Sequence, residues 1–393
     1  MSTLGQLNYF FIPSVTLIGV GASSHIPERL TMVGAKKPLI VTDKGIVNAG
    51  ILKMVTDVLD AKKMSYAVFD ETIPNPTDKN VHDGVEFYKK NKCDSLITLG
   101  GGSSHDCGKG VGLVVSNGGT IHDFEGVDVS KKPMPPYIAI NTTAGTASEI
   151  TRFCIITDTK RKVKMAIVDW RVTANVAIND PVLMVGMPPS LTAATGMDAL
   201  THAVEAYVST AANPLTDAAA EKAITIIANS LRKAVANGKD MQAREDMCFA
   251  QYLAGMAFNN ASLGHVHAMA HQLGGFYDLP HGECNAILLP YVSEYNLMAH
   301  LERYGRIAEL LGTCTCGLNK RDAAMKAIEA IRTLSTDVGI PASISDLAKR
   351  YKKTVNEKDI DIMVGNAQKD ACGLTNPRTM TDLAVKNIYK AAW

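Results

Sequence analysis

Between Gly196 and Gly282 the chain carries five of its ten histidines, with polar residues at helical spacing. Asp198 and His202 stand four residues apart, and so do His267 and His271; on a helix such pairs share a face. His281 follows Pro280 and precedes Gly282, which reads as a turn entering the next helix. One carboxylate and several imidazoles converging from helices and a turn can hold a divalent transition metal. A lone helical histidine is more often a hydrogen-bonded core or surface residue. Two such pairs and a turn histidine in one region favour the metal. His265 lies two residues before His267, about 200° around a helix, so the two cannot face one ion and His265 is set aside. Of the six candidates five then remain, and spacing leaves open which four of them ligate. His-Glu-x-x-His does not occur, so a zinc protease would lack its general base.

A second chemistry is written at Gly100-Gly101-Gly102-Ser103-Ser104-His105-Asp106, which follows the apolar strand Ser95–Leu99. Glycines let backbone N–H groups approach an anion, and the helix that follows offers its positive end. The spacing is neither the Rossmann G-x-G-x-x-G nor a P-loop, and a tight structural turn is the plain alternative. Two further loops strengthen the anion reading: Pro74-Asn75-Pro76-Thr77, and Asn141-Thr142-Thr143-Ala144-Gly145-Thr146 after a strand at Tyr137–Ile140. Loops at the carboxyl ends of successive parallel strands are where open α/β sheets bind ligands. Asp43 ends a strand at Pro38–Thr42. There a carboxylate can accept from a ribose hydroxyl and repel a 2′-phosphate, favouring NAD over NADP, or it can cap a helix.

The elements that must position these groups differ between the two halves. Up to residue 185, short β-branched runs at Pro38–Thr42, Tyr66–Phe69 and Ser95–Leu99 alternate with helical stretches at Ile46–Leu59 and Lys79–Asn91. That alternation implies βαβ units and a parallel sheet. Strands at Cys154–Ile156, Met165–Val168 and Asn175–Ile178, with a hairpin turn at Lys160–Lys162, are expected to close this domain, and Asp180-Pro181 marks its end. From residue 186 strand signals largely vanish and helical periodicity takes over. The expected architecture is an α/β, Rossmann-like domain over residues 1–185 and an all-α domain over 186–393.

The chain as a whole narrows the classes. Its 393 residues suit two domains. A net charge of +1 without a Lys/Arg block speaks against nucleic acid as a partner. No run of about 18 apolar residues offers a membrane span, and Tyr9–Pro13 lacks a basic leader, so a signal peptide is not expected. Eight scattered cysteines do not form a disulfide scaffold, and Cys314-Thr315-Cys316 lacks the second pair of a zinc site. A reducing cytoplasm is the expected compartment.

Four motifs now carry a resemblance: Gly100-Gly101-Gly102-Ser103, Asn141 to Glu149, Gly196-Met197-Asp198-Ala199-Leu200-Thr201-His202-Ala203-Val204-Glu205, and Ala254-Gly255-Met256-Ala257-Phe258-Asn259-Asn260-Ala261. With them the chain resembles the iron-containing (group III) alcohol dehydrogenases over nearly its whole length, in the branch acting on ethanol, methanol, 1,3-propanediol and lactaldehyde. The resemblance implies the dehydroquinate synthase-like fold of that family. It implies metal ligation by Asp198, His202, His267 and His281, and NAD contacts from Asp43, Asn75, Gly101, Gly102, Ser103, Thr142, Thr143, Thr146, Lys164 and Leu183. It places His271 beside the nicotinamide, as candidate proton relay, and Phe153, Phe258 and Cys372 around the substrate. The implied reaction interconverts a short-chain primary alcohol or diol and its aldehyde. Ferrous iron is the family's metal, and the O and N donor set also admits Zn²⁺, Ni²⁺ or Co²⁺. By the same analogy the chain works as a homodimer or larger homo-oligomer. Three positions depart from the family pattern: His265, Glu283 and Tyr291. Glu283 could charge the surroundings of the metal, wall the pocket, or favour a helix N-terminus. A non-redox lyase of the same architecture would need Lys or Arg for a phosphate-bearing substrate, and residues 254–285 have none. A catalytically silent metal-binding protein is the other alternative, against which the intact His271 and glycine loop speak.

Overall fold

In the computed structural model, which describes residues 7–393, the chain divides into two units, Phe11–Gly186 and Met187–Trp393, with residues 7–10 grouped with the second. The first unit runs β1 (Val15–Ile18), α1 (Ile26–Met32), β2 (Pro38–Asp43), α2 (Lys44–Asn48), α3 (Ile51–Ala61), β3 (Ala67–Thr72), α4 (Asp78–Lys90), β4 (Ser95–Gly100), α5 (Gly102–Asn117), β5 (Gly126–Val127), β6 (Tyr137–Asn141), β7 (Phe153–Asp158), β8 (Val163–Val168) and β9 (Val176–Asn179). Six strands form one sheet in the order β1-β9-β6-β4-β2-β3, every pair parallel.

Helices cover both faces, which is why its central strands β4, β6 and β9 are buried at every residue and largely apolar. Ile40, Ile97, Ile138 and Ile178 pack with Ile26 and Leu30 of α1 and Val55 and Leu59 of α3. Leu39, Leu96 and Ala139 face the other way, toward Val81 and Val85 of α4 and Val111 of α5. Each fully buried Ile or Leu contributes about 1.5–3 kcal/mol. From β2 the chain steps outward to β3 and then returns to β4 on the other side of β2. That reversal puts the ends of β2 and β4, Asp43 and Gly100, at the switch point where such sheets bind ligands.

Three details differ from the sequence expectation. β1 precedes the first expected strand and pairs with β9. The run at 175–178 does not complete a sheet with its two predecessors: β9 lies in the main sheet between β1 and β6, while β7 and β8 form an antiparallel hairpin beside β5. Burial explains the division, since β9 is buried at every residue and β7 only at every second one. The expected helix over 46–59 breaks at Gly50, whose φ of 75° is left-handed, into α2 and α3.

The second unit is helical: α6 (Pro189–Val208), α7 (Pro214–Ala236), α8 (Met241–Ala261), α9 (His265–Tyr277), α10 (His281–Asn296), α11 (Leu301–Leu310), α12 (Lys320–Asp337), α13 (Ile344–Arg350), α14 (Ile360–Ala367) and α15 (Asp382–Ala392). Residues 192–208 of α6 are all buried, the signature of a central helix, and α7, α8 and α10 pack around it. Among the described residues no helix is long and apolar enough to cross a membrane.

Candidate active site

α6 carries Asp198 and His202 on one face, α9 contributes His267, and α10 begins at His281 directly after Pro280. Gly282 makes the last placement possible. A Cβ there would stand 2.4 Å from the Ala194 carbonyl oxygen and 3.4 Å from Asp198 Cβ, so only glycine lets the start of α10 lie against the α6 backbone. From Asp198 Oδ1 the distances to Nε2 are 3.6 Å for His281, 3.8 Å for His267 and 3.9 Å for His202. Two donors on one ion at tetrahedral angles stand about 3.4 Å apart; Asp198, His267 and His281 bring their ligand atoms within 4.8 Å of one another, and His202 approaches that group from Asp198's own helix. The Asn285 amide nitrogen gives a second test. It lies 2.8 Å from Asp198 Oδ1 and 3.0 Å from Nε2 of both His267 and His281. Three acceptors thus converge on one positively polarised group, as they would on a cation.

The electrostatics agree. Burial raises the Asp198 carboxyl, but His202, His281 and His267 together hold it below the usual carboxylate range. Burial depresses His267, and the Glu205 carboxylate beside it outweighs that and raises it. His267 Nδ1 donates to Glu205 Oε2 at 2.5 Å, and His271 Nδ1 to Asp370 Oδ2 at 2.8 Å. Burial also raises Asp370, yet the contact with His271 brings it down to about 2. Neither Glu205 nor Asp370 was visible as a partner in the sequence, because they lie 62 and 99 residues from their histidines. Carboxylates that fix imidazole tautomers are a common outer shell of metal sites.

Of the remaining expected residues in this unit, Phe258 stacks on His202 with ring centroids 4.2 Å apart, and Cys372 groups with His271 and Asp370. His265 turns away from the cluster toward Gly373 and Gln368. Glu283 is buried in the first turn of α10 and pairs with Arg350 at 2.9 Å. One of its oxygens is thus tied to α13, and its place in the first turn of α10 is where a carboxylate favours a helix N-terminus. Tyr291 stacks with Arg332.

In the first unit, α5 starts after Gly101 with no side-chain cap, so its first N–H groups are available to an anion. A Cβ on Gly101 would meet Thr143 at 3.1 Å, and one on Gly102 would meet Thr146 at 3.4 Å. The β4 and β6 loops therefore form one cradle that larger residues would fill. Gly100 pairs with Asn141 at the carboxyl ends of β4 and β6, and Thr142 N–H donates to the Gly100 carbonyl. Ser103 lies in the first turn of α5. Asp43 caps α2 through Ile46 N–H and accepts from Ser104 Oγ at 3.1 Å, which draws the β2 end to the same cradle. Asn75 is left-handed, with φ 52°, and accepts from Lys164 Nζ at 2.8 Å, tying the β3 loop to β8. Leu183 is buried in the core beneath. Phe153 opens β7. Asp78, His122 and Asp158 form another carboxylate–imidazole group, but their oxygens are taken by Thr159, Arg161 and backbone N–H groups.

Residues 13–181 match the family described as iron-containing alcohol dehydrogenase, and residues 192–393 match its C-terminal domain. The chain belongs to the iron-containing alcohol dehydrogenases. Members of this family use NAD and ferrous iron to interconvert alcohols and their aldehydes, with the α/β-plus-helical fold described above. The chain is 50% identical over 386 residues to the 1,3-propanediol dehydrogenase of Klebsiella pneumoniae, covering 98% of both. It is 47% identical to the NAD-dependent methanol dehydrogenase of Bacillus methanolicus, covering 98% of this chain and 99% of that one. Among solved structures, an alcohol dehydrogenase from Oenococcus oeni superposes with a TM-score of 0.95 at 48% identity, covering 98% of this chain and all of the other.

Proposed function

We propose that this chain oxidises short primary alcohols or diols with NAD⁺, and reduces the corresponding aldehydes, as an ethanol-type alcohol dehydrogenase. Residues 1–185 hold the dinucleotide and residues 186–393 the metal. The observation that supports it most is the placing of three imidazole Nε2 atoms within 3.9 Å of a single buried carboxylate oxygen. Asp198, His202, His267 and His281 would hold the cation. Asp43, Asn75, Gly101, Gly102, Ser103, Thr142, Thr143, Thr146, Lys164 and Leu183 would hold or support NAD. When bound, the divalent cation supplies Lewis acidity to an alcohol oxygen, and NAD⁺ accepts the carbinol hydrogen with its electron pair.

The chain's own residues handle the proton. His271 receives the hydroxyl proton at Nε2, because Asp370 engages Nδ1 as a donor and leaves the other nitrogen its lone pair. Phe258, stacked on His202, and Cys372, grouped with His271, would give a short carbon chain an apolar wall within the helical unit. By family analogy the working form is a homo-oligomer in the cytoplasm, which light scattering and fractionation would check. The test of function is a substrate panel. Anaerobically purified enzyme of known metal content is assayed for NADH with ethanol, methanol, butanol and propanediols, with NADP⁺ in parallel. Turnover of at least one short primary alcohol, with NAD⁺ preferred, is expected. No turnover of any alcohol or aldehyde would refute it.

A further inference from the structure

Glu205 sits three residues beyond His202 on α6, and both its oxygens reach across to α9. The residue is 4% exposed. Oε2 accepts from His267 Nδ1 at 2.5 Å and Oε1 accepts from Val266 N–H at 2.7 Å. α9 begins after Gly264, which has no side chain to cap it. Asn376 Oδ1 accepts from His265 N–H at 3.2 Å, so Glu205 and Asn376 together satisfy first-turn donors of that helix. Gly264 leaves the room: a Cβ there would stand 2.7 Å from Glu205 Oε1.

An ionised carboxylate only accepts, so His267 donates from Nδ1, and a neutral imidazole then has its lone pair on Nε2. That nitrogen faces Asp198 and Asn285. We infer that Glu205 is a positioning residue for the cation: it fixes the ring orientation and tautomer of His267, and so sets how tightly the centre binds metal. This rests on the reading of Asp198, His202, His267 and His281 as the ligands. Outer-shell partners of this type contribute roughly 10- to 100-fold in metal affinity.

The test uses the metal-stripped full chain and Co²⁺, with affinity measured by chelator competition and the visible spectrum of the bound ion. In Glu205→Gln the amide can still accept from Val266 N–H, but its NH₂ faces His267 Nδ1 as a donor. The ring proton is then driven to Nε2, the wrong nitrogen for ligation. Co²⁺ affinity is expected to fall about 10- to 100-fold, with NAD⁺ affinity and the melting temperature of the metal-free chain close to wild type. Gly264→Ala, which pushes on Glu205 from the other side, is expected to weaken Co²⁺ in the same direction, and it decides the question if Glu205→Gln does not fold. Affinity unchanged in the folded variants, while His281→Ala loses the ion, would overturn the role of Glu205 alone. If His281→Ala binds Co²⁺ as tightly as wild type, the ligand assignment beneath it falls instead.

Discussion

At the scale of single residues, two of the three α9 histidines are each held at Nδ1 by a carboxylate, Glu205 for His267 and Asp370 for His271. The two rings differ in what lies beyond. His267 Nε2 is directed at Asp198, whereas His271 lies beside His281 with centroids 5.4 Å apart and retains some exposure. His271→Ala should therefore lower kcat by about 10²- to 10⁴-fold, the usual contribution of a positioned general base, while metal content and NAD⁺ affinity stay near wild type. Asp370→Asn should cost less, and adding it to His271→Ala should cost almost nothing more, because the two act as one unit. Steady-state kinetics on the two single variants and the double variant check this, and additive losses would contradict it. The ligand-type residues were legible in the sequence because helical spacing puts Asp198 with His202 on one face. The carboxylates that orient the imidazoles were not, since no local spacing links residues 62 and 99 positions apart.

At the scale of elements, the site depends on how closely α10 approaches α6. Gly282→Ala would drive a methyl into the Ala194 carbonyl, at 2.4 Å, and backbone cannot rotate aside as a side chain can. Overpacking of this kind costs about 1–3 kcal/mol, and here it also carries His281 away from Asp198. The expected result is a lower melting temperature together with weaker metal binding, measured by calorimetry with and without metal. A loss of stability with metal affinity intact would contradict the role given to this contact. Helices were the most legible elements, because amphipathic periodicity is a local signal. Strand partnership was less so. β9 is apolar on both faces and four residues long, and nothing in such a run says which sheet it joins.

At the scale of the whole molecule, acid should strike the β7–β8 hairpin. Asp158 accepts from Arg161 backbone N–H and from its guanidinium, and these contacts hold its carboxyl at about 2. An unfolded aspartate titrates near 4, at about 3.9. Because the folded value is the lower one, the contact stabilises above the unfolded value and is lost as pH falls from about 4 toward 2. Unfolding free energy followed by denaturant titration should therefore drop across that window, and Asp158→Asn should flatten the drop. An unchanged slope would count against it. The two-part plan of the chain, parallel sheet then helices, was legible from the pattern along the sequence, since β-branched runs stop where the helical periodicity begins.

The central claim is that one cation held by Asp198, His202, His267 and His281 is what makes this chain an alcohol dehydrogenase. The most direct measurement is a titration of Fe²⁺ into metal-stripped enzyme under anaerobic conditions, following NADH formation from a short primary alcohol. Activity should rise from none to full at one Fe²⁺ per chain, and Asp198→Ala should neither bind the ion nor turn over while still binding NAD⁺. Full turnover by the stripped enzyme, or by Asp198→Ala, would contradict the claim.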